Sequence, residues 1–327
     1  MTTNKGITII SEAVCQAVVG RPEAFTAVEN VFASMAKGDA YNFPVVREAI
    51  GHADALYGFK SGFDRAGMTL GVKSGGYWPG NADKNLTNHQ STIFLFDPDT
   101  GQLNALVGGN HLTAMRTAAS SAVSIAHLAR KDAKVLGMVG AGHQSTFQLR
   151  AALEQRNFEK VVGWNPRPKN LQRLANVCEE LGLPFEAVDL KELGAQADVI
   201  ITITSAFEPL VMREWIKPGT HIACMGTDTK GKQEVDPELL VAATVFTDEV
   251  TQSISIGEAQ HAIASGGIKA EEIVPIGEVI NATHPGRSSN EEITLFDGTG
   301  VGLQDLAVAS AAAVLAEKQG LAKSVIL

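Results

Sequence analysis

The chain has 327 residues, of which 45% are hydrophobic and 19% charged. That is enough to bury a substantial core, and it fits two domains more readily than one. A formal net charge of −9 gives no support for a nucleic-acid partner. Three widely spaced cysteines, Cys15, Cys178 and Cys224, make neither a disulfide framework nor a metal-ligand spacing.

Residues 11–37 repeat apolar side chains at intervals of three and four, which predicts a helix. The N-terminus has no basic region followed by a long apolar run, and no apolar run has the length to span a bilayer. A soluble cytoplasmic protein with no membrane partner is the expectation. Phe43-Pro44-Val45-Val46-Arg47 is an extended piece. Residues 67–78 (GMTLGVKSGGYW) and 91–109 (STIFLFDPDTGQLNALVGG) are rich in β-branched and aromatic residues. Asp97-Pro98-Asp99-Thr100-Gly101, between two apolar runs, is a hairpin signal. The first third therefore reads as a mainly antiparallel sheet with a leading helix.

Residues 111–130 are Ala-rich and helical. After them, short apolar strands (KVLGMVG, KVVGWN, PFEAVD, DVIITIT, THIACMG, TVFTDE) alternate with helices such as STFQLRAALEQR and LQRLANVCEELG. Such alternation predicts βαβ units in a right-handed, doubly wound parallel sheet. EEITLF is the last strand-like piece, and residues 303–322 form another Ala-rich helix. The fold class is thus α/β: a Rossmann doubly wound parallel-sheet domain over 120–303, plus a mainly antiparallel α+β domain made of 1–119 and 304–327.

The motif with most chemistry is Gly140-Ala141-Gly142-His143-Gln144, which follows one predicted strand and opens a helix. Gly140 permits a tight turn, and Gly142 lets the backbone approach a pyrophosphate at a helix N-terminus. Ser145 stands where a third small residue serves helix-to-strand packing. A bare turn is the plainer reading of two glycines, but the alternation around them favours dinucleotide binding. One strand later, Asn165 occupies the place of the usual ribose-binding acid, with Arg167 following; a solvated turn explains them equally well.

Arg47, Lys73 and Arg116 are cations in the first domain that could grip a carboxylate or phosphate, although the sequence does not show that they converge. Asp228 lies just past the strand THIACMG, where an acid can handle a proton or cap a turn. Asp305 opens the last helix and reads as a residue favoured by the helix dipole. The eight histidines show no metal spacing, and neither a serine-hydrolase elbow nor a Walker lysine is present.

These blocks together resemble the ornithine cyclodeaminase/μ-crystallin family. The likeness rests on GVKSGGYWPGN, NHQSTIFLFDPDTGQLNALVGGNHLTAMRTAA, VLGMVGAGHQ, EPLVMREWIKPGTHIACMGTDTKGKQEVDPELL, IGEVI and FDGTGVGLQD, and it covers nearly the whole chain. It implies a homodimer in which a substrate-binding and dimerisation domain accompanies the Rossmann domain. It also implies hydride transfer between a nicotinamide and the Cα of an amino acid or its imine. Within the family the chain resembles the imine reductases, which points to an α-imino acid substrate, iminosuccinate going to L-aspartate foremost. The alternatives are a cyclodeaminase that uses NAD as a transient oxidant, a cyclic ketimine reductase, and a non-catalytic NADPH- or ligand-binding protein.

Carried over by residue, the resemblance assigns Lys73 and Asp228 to catalysis and Arg47, Lys73 and Arg116 to the substrate. The cofactor set is Arg116, Thr117, Gly140, Gly142, His143, Gln144, Asn165, Arg167, Thr204, Ser205, Gly226 and Asp228, with no metal. NAD(H) is expected ahead of NADP(H). Two positions depart from the pattern: Gly108, where the family commonly has Asp, and Asn165. Lys73 is expected to have a lowered pKa because Arg47 is a like charge. A second substrate carboxylate would need a further group, for which Ser74-Gly75-Gly76-Tyr77, read as a loop, and His89 are candidates.

Overall fold

A computed structural model describes residues 6–326. The chain forms two compact units: one runs to Arg116 and resumes at Val301, and the other is Thr117–Gly300.

The first unit opens with β1 (Ile7–Ile10), α1 (Glu12–Val18), α2 (Arg21–Ala36), β2 (Ala40–Asn42), β3 (Val46–Ala49) and β4 (Leu56–Asp64). It continues through β5 (Thr69–Tyr77), β6 (His89–Phe96), β7 (Leu103–Gly108) and the start of α3 (Asn110–Leu128). The single helix expected over 11–37 is two. Val19 has left helical geometry, the Gly20 N–H donates to the Glu23 carboxylate, and Pro22 sits in the first turn of α2, where its missing N–H costs nothing. The strands follow the order β1-β7-β6-β5-β4-β2, with β3 also on β4. All these pairings are antiparallel except β1 with β7, which is parallel. The β6–β7 turn is the expected one: Asp97 Oδ1 accepts from the Asp99 and Thr100 N–H groups, and Gly101 takes positive φ.

This sheet is apolar on both faces. One buries Gly71, Lys73, Ile93, Leu95, Ala105 and Val107. The other carries Leu70, Val72, Phe94, Phe96 and Leu106 half-buried, with Tyr57 and Phe59 36% and 42% exposed. A strand alternates its side chains between faces, so such a run asks for cover on both sides.

The second unit contains β8 (Val135–Val139), α4 (Ser145–Leu153), β9 (Lys160–Trp164), α5 (Gln172–Glu180), β10 (Phe185–Ala187), α6 (Leu190–Gln196) and β11 (Val199–Thr202). After these come β12 (Phe207–Val211), β13 (His221–Cys224), β14 (Gln233–Val235), α7 (Pro237–Ala242) and β15 (Thr244–Thr247). The unit ends with α8 (Val250–Ile256), α9 (Ala259–Ala264), β16 (Val274–Pro275), α10 (Ile276–Ile280) and β17 (Thr294–Asp297). Its main sheet has the order β10-β9-β8-β11-β13-β17-β15-β16 and every pairing in it is parallel. The order reverses between β8 and β11, which makes the turn after β8 the switch point where ligands of such sheets bind. Residues of successive strands, Val139, Val162, Ile200, Ile222 and Leu295, are fully buried in one core.

The chain returns to the first unit as α11 (Gly302–Lys318) and β18 (Lys323–Val325). Helix α11 packs across β4, β5, β6 and α2. Strand β18 adds antiparallel to β1, so Thr294–Asp297 is not the last strand.

Candidate active site

In the second unit the glycine turn has the geometry of a nucleotide cradle. Gly140 has φ +108°, and a Cβ there would lie 2.6 Å from the Ile203 carbonyl oxygen. Any side chain is therefore excluded both by strain and by the neighbouring loop. A Cβ at Gly142 would meet nothing within 4 Å, so the backbone is open to a ligand there. Ser145 is fully buried and its hydroxyl donates to the Gly142 carbonyl at 2.8 Å, which lets it fill the packing position without an unpaired group. Gln144 Oε1 is buried and has no hydrogen-bond partner among the described residues. An orphan beside an open glycine turn, at the N-terminal end of α4 and the switch point, fits a dinucleotide.

Asn165 is committed inside the protein. Its Oδ1 accepts from the Ala141 N–H at 2.9 Å and its Nδ2 donates to the Arg167 carbonyl at 2.9 Å. It thus ties the end of β9 to the glycine turn. The Arg167 side chain is exposed. The His143 ring packs on Phe147, with centroids 5.5 Å apart, and burial lowers its pKa. Thr117 is buried, and its carbonyl accepts from Gln148.

Beyond β11 and β13, buried carboxylates fix the loops. Glu234 accepts from the Thr204 N–H at 2.5 Å, the Thr202 hydroxyl at 2.7 Å and the Gly226 N–H at 2.9 Å. Glu258 accepts from the Glu234 N–H and the Thr227 hydroxyl. Burial, together with the charge of Glu234, pushes Glu258 well above the usual carboxylate range. Asp248 accepts from the Thr299 and Gly300 N–H groups at 3.1 and 2.8 Å. Thr204 and Gly226, expected as cofactor ligands, are thus held from behind, and Ser205 between these loops is exposed. Asp228 is ion-paired with Lys232 at 2.8 Å and accepts from the Thr229 hydroxyl.

The first unit holds a buried ionic cluster. Asp305, fully buried, meets Lys73 Nζ at 2.7 Å through Oδ2 and Arg116 Nε at 3.0 Å through Oδ1. Arg116 Nη1 also donates to Gln304 Oε1 at 2.9 Å. Three elements converge here: β5 brings Lys73, α3 brings Arg116 and α11 brings Asp305. Helix α3 is anchored by Glu12, whose carboxylate accepts from the Asn110 and His111 N–H groups at 2.6 and 3.1 Å, a favourable charge at a helix start. This accounts for Gly108. A Cβ there would lie 2.9 Å from the Glu12 carboxylate, so Glu12 fills the space an aspartate would need.

Burial lowers the Lys73 pKa. Asp305 pulls it back up, Arg116 and Lys60 push it down, and it settles at about 7. The direction is the expected one, but the leading cause is desolvation rather than a like charge. Burial alone would raise Asp305; Arg116 and Lys73 outweigh it and hold the carboxyl at about 2. His89 is driven to about 3, by burial first and then by the charge of Lys73, so it is neutral. Arg47, on β3, pairs with Gly58 of β4 and is exposed.

The structure therefore brings Lys73 and Arg116 together and adds Asp305, which the sequence presents only as a dipole-favoured residue. The signal for Asp305 was composition: it is the one acid in an otherwise uncharged first half of the last helix. Residues 74–77 are not a loop; they continue β5. Among the described residues no group of three or more His, Cys, Asp and Glu could hold a metal. No helix among them is long and apolar enough to cross a membrane.

A doubly wound sheet with this turn, in one chain with a buried lysine–aspartate–arginine cluster, has the build of a nicotinamide-dependent oxidoreductase. The chain belongs to the ornithine cyclodeaminase/mu-crystallin family, whose model matches residues 10–318. It is 62% identical over 317 residues to the iminosuccinate reductase of Paracoccus denitrificans, covering 97% of this chain and 99% of that one. A crystal structure of the Paracoccus enzyme in complex with NAD+ matches with a TM-score of 0.96 at 61% identity, over 99% of this chain and 100% of that one. The alanine dehydrogenase of Archaeoglobus fulgidus is 34% identical over 304 residues, 92% of each chain. An archaeal alanine dehydrogenase dimer with bound NAD matches with a TM-score of 0.91 at 32% identity, over 98% of each chain.

Proposed function

We propose that the chain reduces iminosuccinate to L-aspartate with NADH. The observation that carries this reading is Lys73: a buried lysine tuned to about 7 beside Arg116, in a chain that matches the Paracoccus iminosuccinate reductase from end to end. The glycine turn and the loops after β11 and β13 would hold the dinucleotide, which would supply the hydride. The α-carboxylate of the imino acid pairs with Lys73 and Arg116, and Arg47 adds a further cation from β3. Lys73 donates the proton that the imine nitrogen needs as its carbon becomes saturated, and solvent restores it. Asp305 keeps both cations oriented. Asp228, held by Lys232, serves the cofactor side rather than the proton. Positioning and charge are the protein's contributions, and the redox chemistry belongs to the cofactor.

The test is absorbance loss of NADH or NADPH with ammonia and a panel of 2-oxo acids. Oxaloacetate with NADH should be the fastest pair and should yield L-aspartate. Turnover confined to cyclic ketimines, or to NADPH, would remove this reading.

The same proposal includes a homodimer built on the open face of the first sheet. Leu70, Val72, Phe94, Phe96 and Leu106 with Tyr57 and Phe59 line one apolar face, the kind of surface that marks an association site. A second copy offers the same surface and satisfies a two-fold contact. Analytical ultracentrifugation should give twice the 34.5 kDa chain mass, and Phe59→Asp should give the single mass. A wild-type chain that sediments as a monomer would exclude the dimer.

A further inference from the structure

We infer that Lys60 is the cation that receives the distal carboxylate of the substrate. The inference rests on the dicarboxylate reading above and names the group that reading leaves unassigned.

Lys73 and Arg116 take the carboxylate next to the reacting carbon. In iminosuccinate one methylene separates that carbon from the second carboxylate, so the second cation must stand close to the first pair. Ser74 does not qualify. It pairs in register with Phe59 on the open face of the sheet, where its hydroxyl lies 2.5 Å from the Tyr57 hydroxyl. Gly75 and Gly76 carry no side chain. Tyr77 shares the face of Lys73 but is 43% exposed, with its hydroxyl accepting from Asn88. His89 also shares that face, yet desolvation and the charge of Lys73 keep it neutral, so it offers a hydrogen bond and no charge.

Lys60 meets each requirement. It lies on β4 directly opposite Lys73 on β5. Cross-strand partners project from the same face with Cβ atoms about 5 Å apart. That is the face α11 covers, where Asp305 meets Lys73. Lys60 is half-buried, and its charge is felt by Lys73, Asp305 and His89 together. Like charges opposed across a ladder destabilise a sheet. Asp305 already meets Lys73, and a ligand with two negative charges adds attraction to both lysines.

The test uses the full-length chain and the variants Lys60→Gln and Lys60→Arg, assayed with oxaloacetate, ammonia and NADH. A lost charge-assisted hydrogen bond corresponds to about 10- to 100-fold in binding. Lys60→Gln should therefore raise KM by that factor, far more than it lowers kcat, and Lys60→Arg should recover most of it. An indirect role through Lys73 predicts the reverse: a shifted pH profile of kcat with KM unmoved. That outcome overturns the inference, as does a KM change that arginine fails to rescue. If the wild type shows no turnover with oxaloacetate, the functional reading itself fails. Calorimetric titration with succinate then decides on Lys60: weaker binding to Lys60→Gln than to wild type supports it, and equal binding overturns it.

Discussion

Asp305→Asn is expected to destabilise the protein by about 3–5 kcal/mol, the usual cost of removing one partner from a buried ion pair. The carboxylate is fully buried between Lys73 and Arg116, themselves 6% and 7% exposed. An amide of the same shape leaves two cations with no counter-charge. Lys73 can relieve part of this by losing its proton, because Asp305 is the charge that raises its pKa. The sign follows from linkage. In the variant, Lys73 would titrate below its wild-type value in the folded state and near the ordinary lysine value when unfolded. Between those limits the unfolded chain binds the extra proton, so stability rises with pH. Wild-type Lys73 already titrates at about 7, so wild type and variant differ in this slope only below that value, and urea denaturation should show a larger deficit at pH 6 than at pH 9. Equal midpoints for wild type and variant would mean that the cluster adds nothing to stability.

The same residue shows where sequence reading stops. Lys73 and Arg116 stand out as cations in unlikely surroundings, one at a strand leading into glycines and one in a helix of small apolar residues. Their convergence depends on a partner 189 positions beyond Arg116, and no local pattern encodes that. Asp305 at a helix start satisfies a dipole rule by itself, and this sufficient local reason hides the tertiary one. Glu234 is hidden differently. It sits in a buried three-residue strand, too short to show alternation, so its carboxylate does not register as an anomaly.

The parallel sheet was legible because strands such as β8, β9 and β15 are short apolar runs each followed by a helix, a pattern few other folds produce. The first unit was less so. Its leading strand, β1, spans four residues and pairs with the last, β18, from the other end of the chain; a pairing at that separation leaves no trace in local periodicity. The break between α1 and α2 was a matter of one glycine and one proline inside a segment whose apolar spacing stays helical throughout. At Asn165 the sequence located the place, and the structure adds a second use for it. The missing acid points to the cofactor's ribose, while the amide oxygen also accepts from Ala141 in the glycine turn and the amide nitrogen donates to the Arg167 carbonyl.

Lys73→Met should lower kcat/KM for imine reduction by about 1,000-fold or more, since a positioned general acid contributes about 10²–10⁴-fold and a charge-assisted contact to the α-carboxylate is lost with it. Methionine keeps an unbranched side chain of nearly the same length and removes the ammonium, so a folded variant reports on charge and proton more than on packing. The pH dependence separates the two. In the free enzyme Lys73 titrates at about 7, and the reduction needs it protonated. Wild-type kcat/KM should therefore fall as pH rises through that value, and the reverse oxidation should rise. With substrate bound, the α-carboxylate favours the charged lysine, so the inflection in kcat should lie higher than that in kcat/KM. Lys73→Met should lose both inflections. If the variant kept a descending limb near pH 7, the proton would come from another group, and Asp228→Asn would be the next substitution to make. A profile flattened by Lys73→Met and unchanged by Asp228→Asn assigns the proton to the lysine, leaving the Asp228–Lys232 pair to shape the cofactor side of the site.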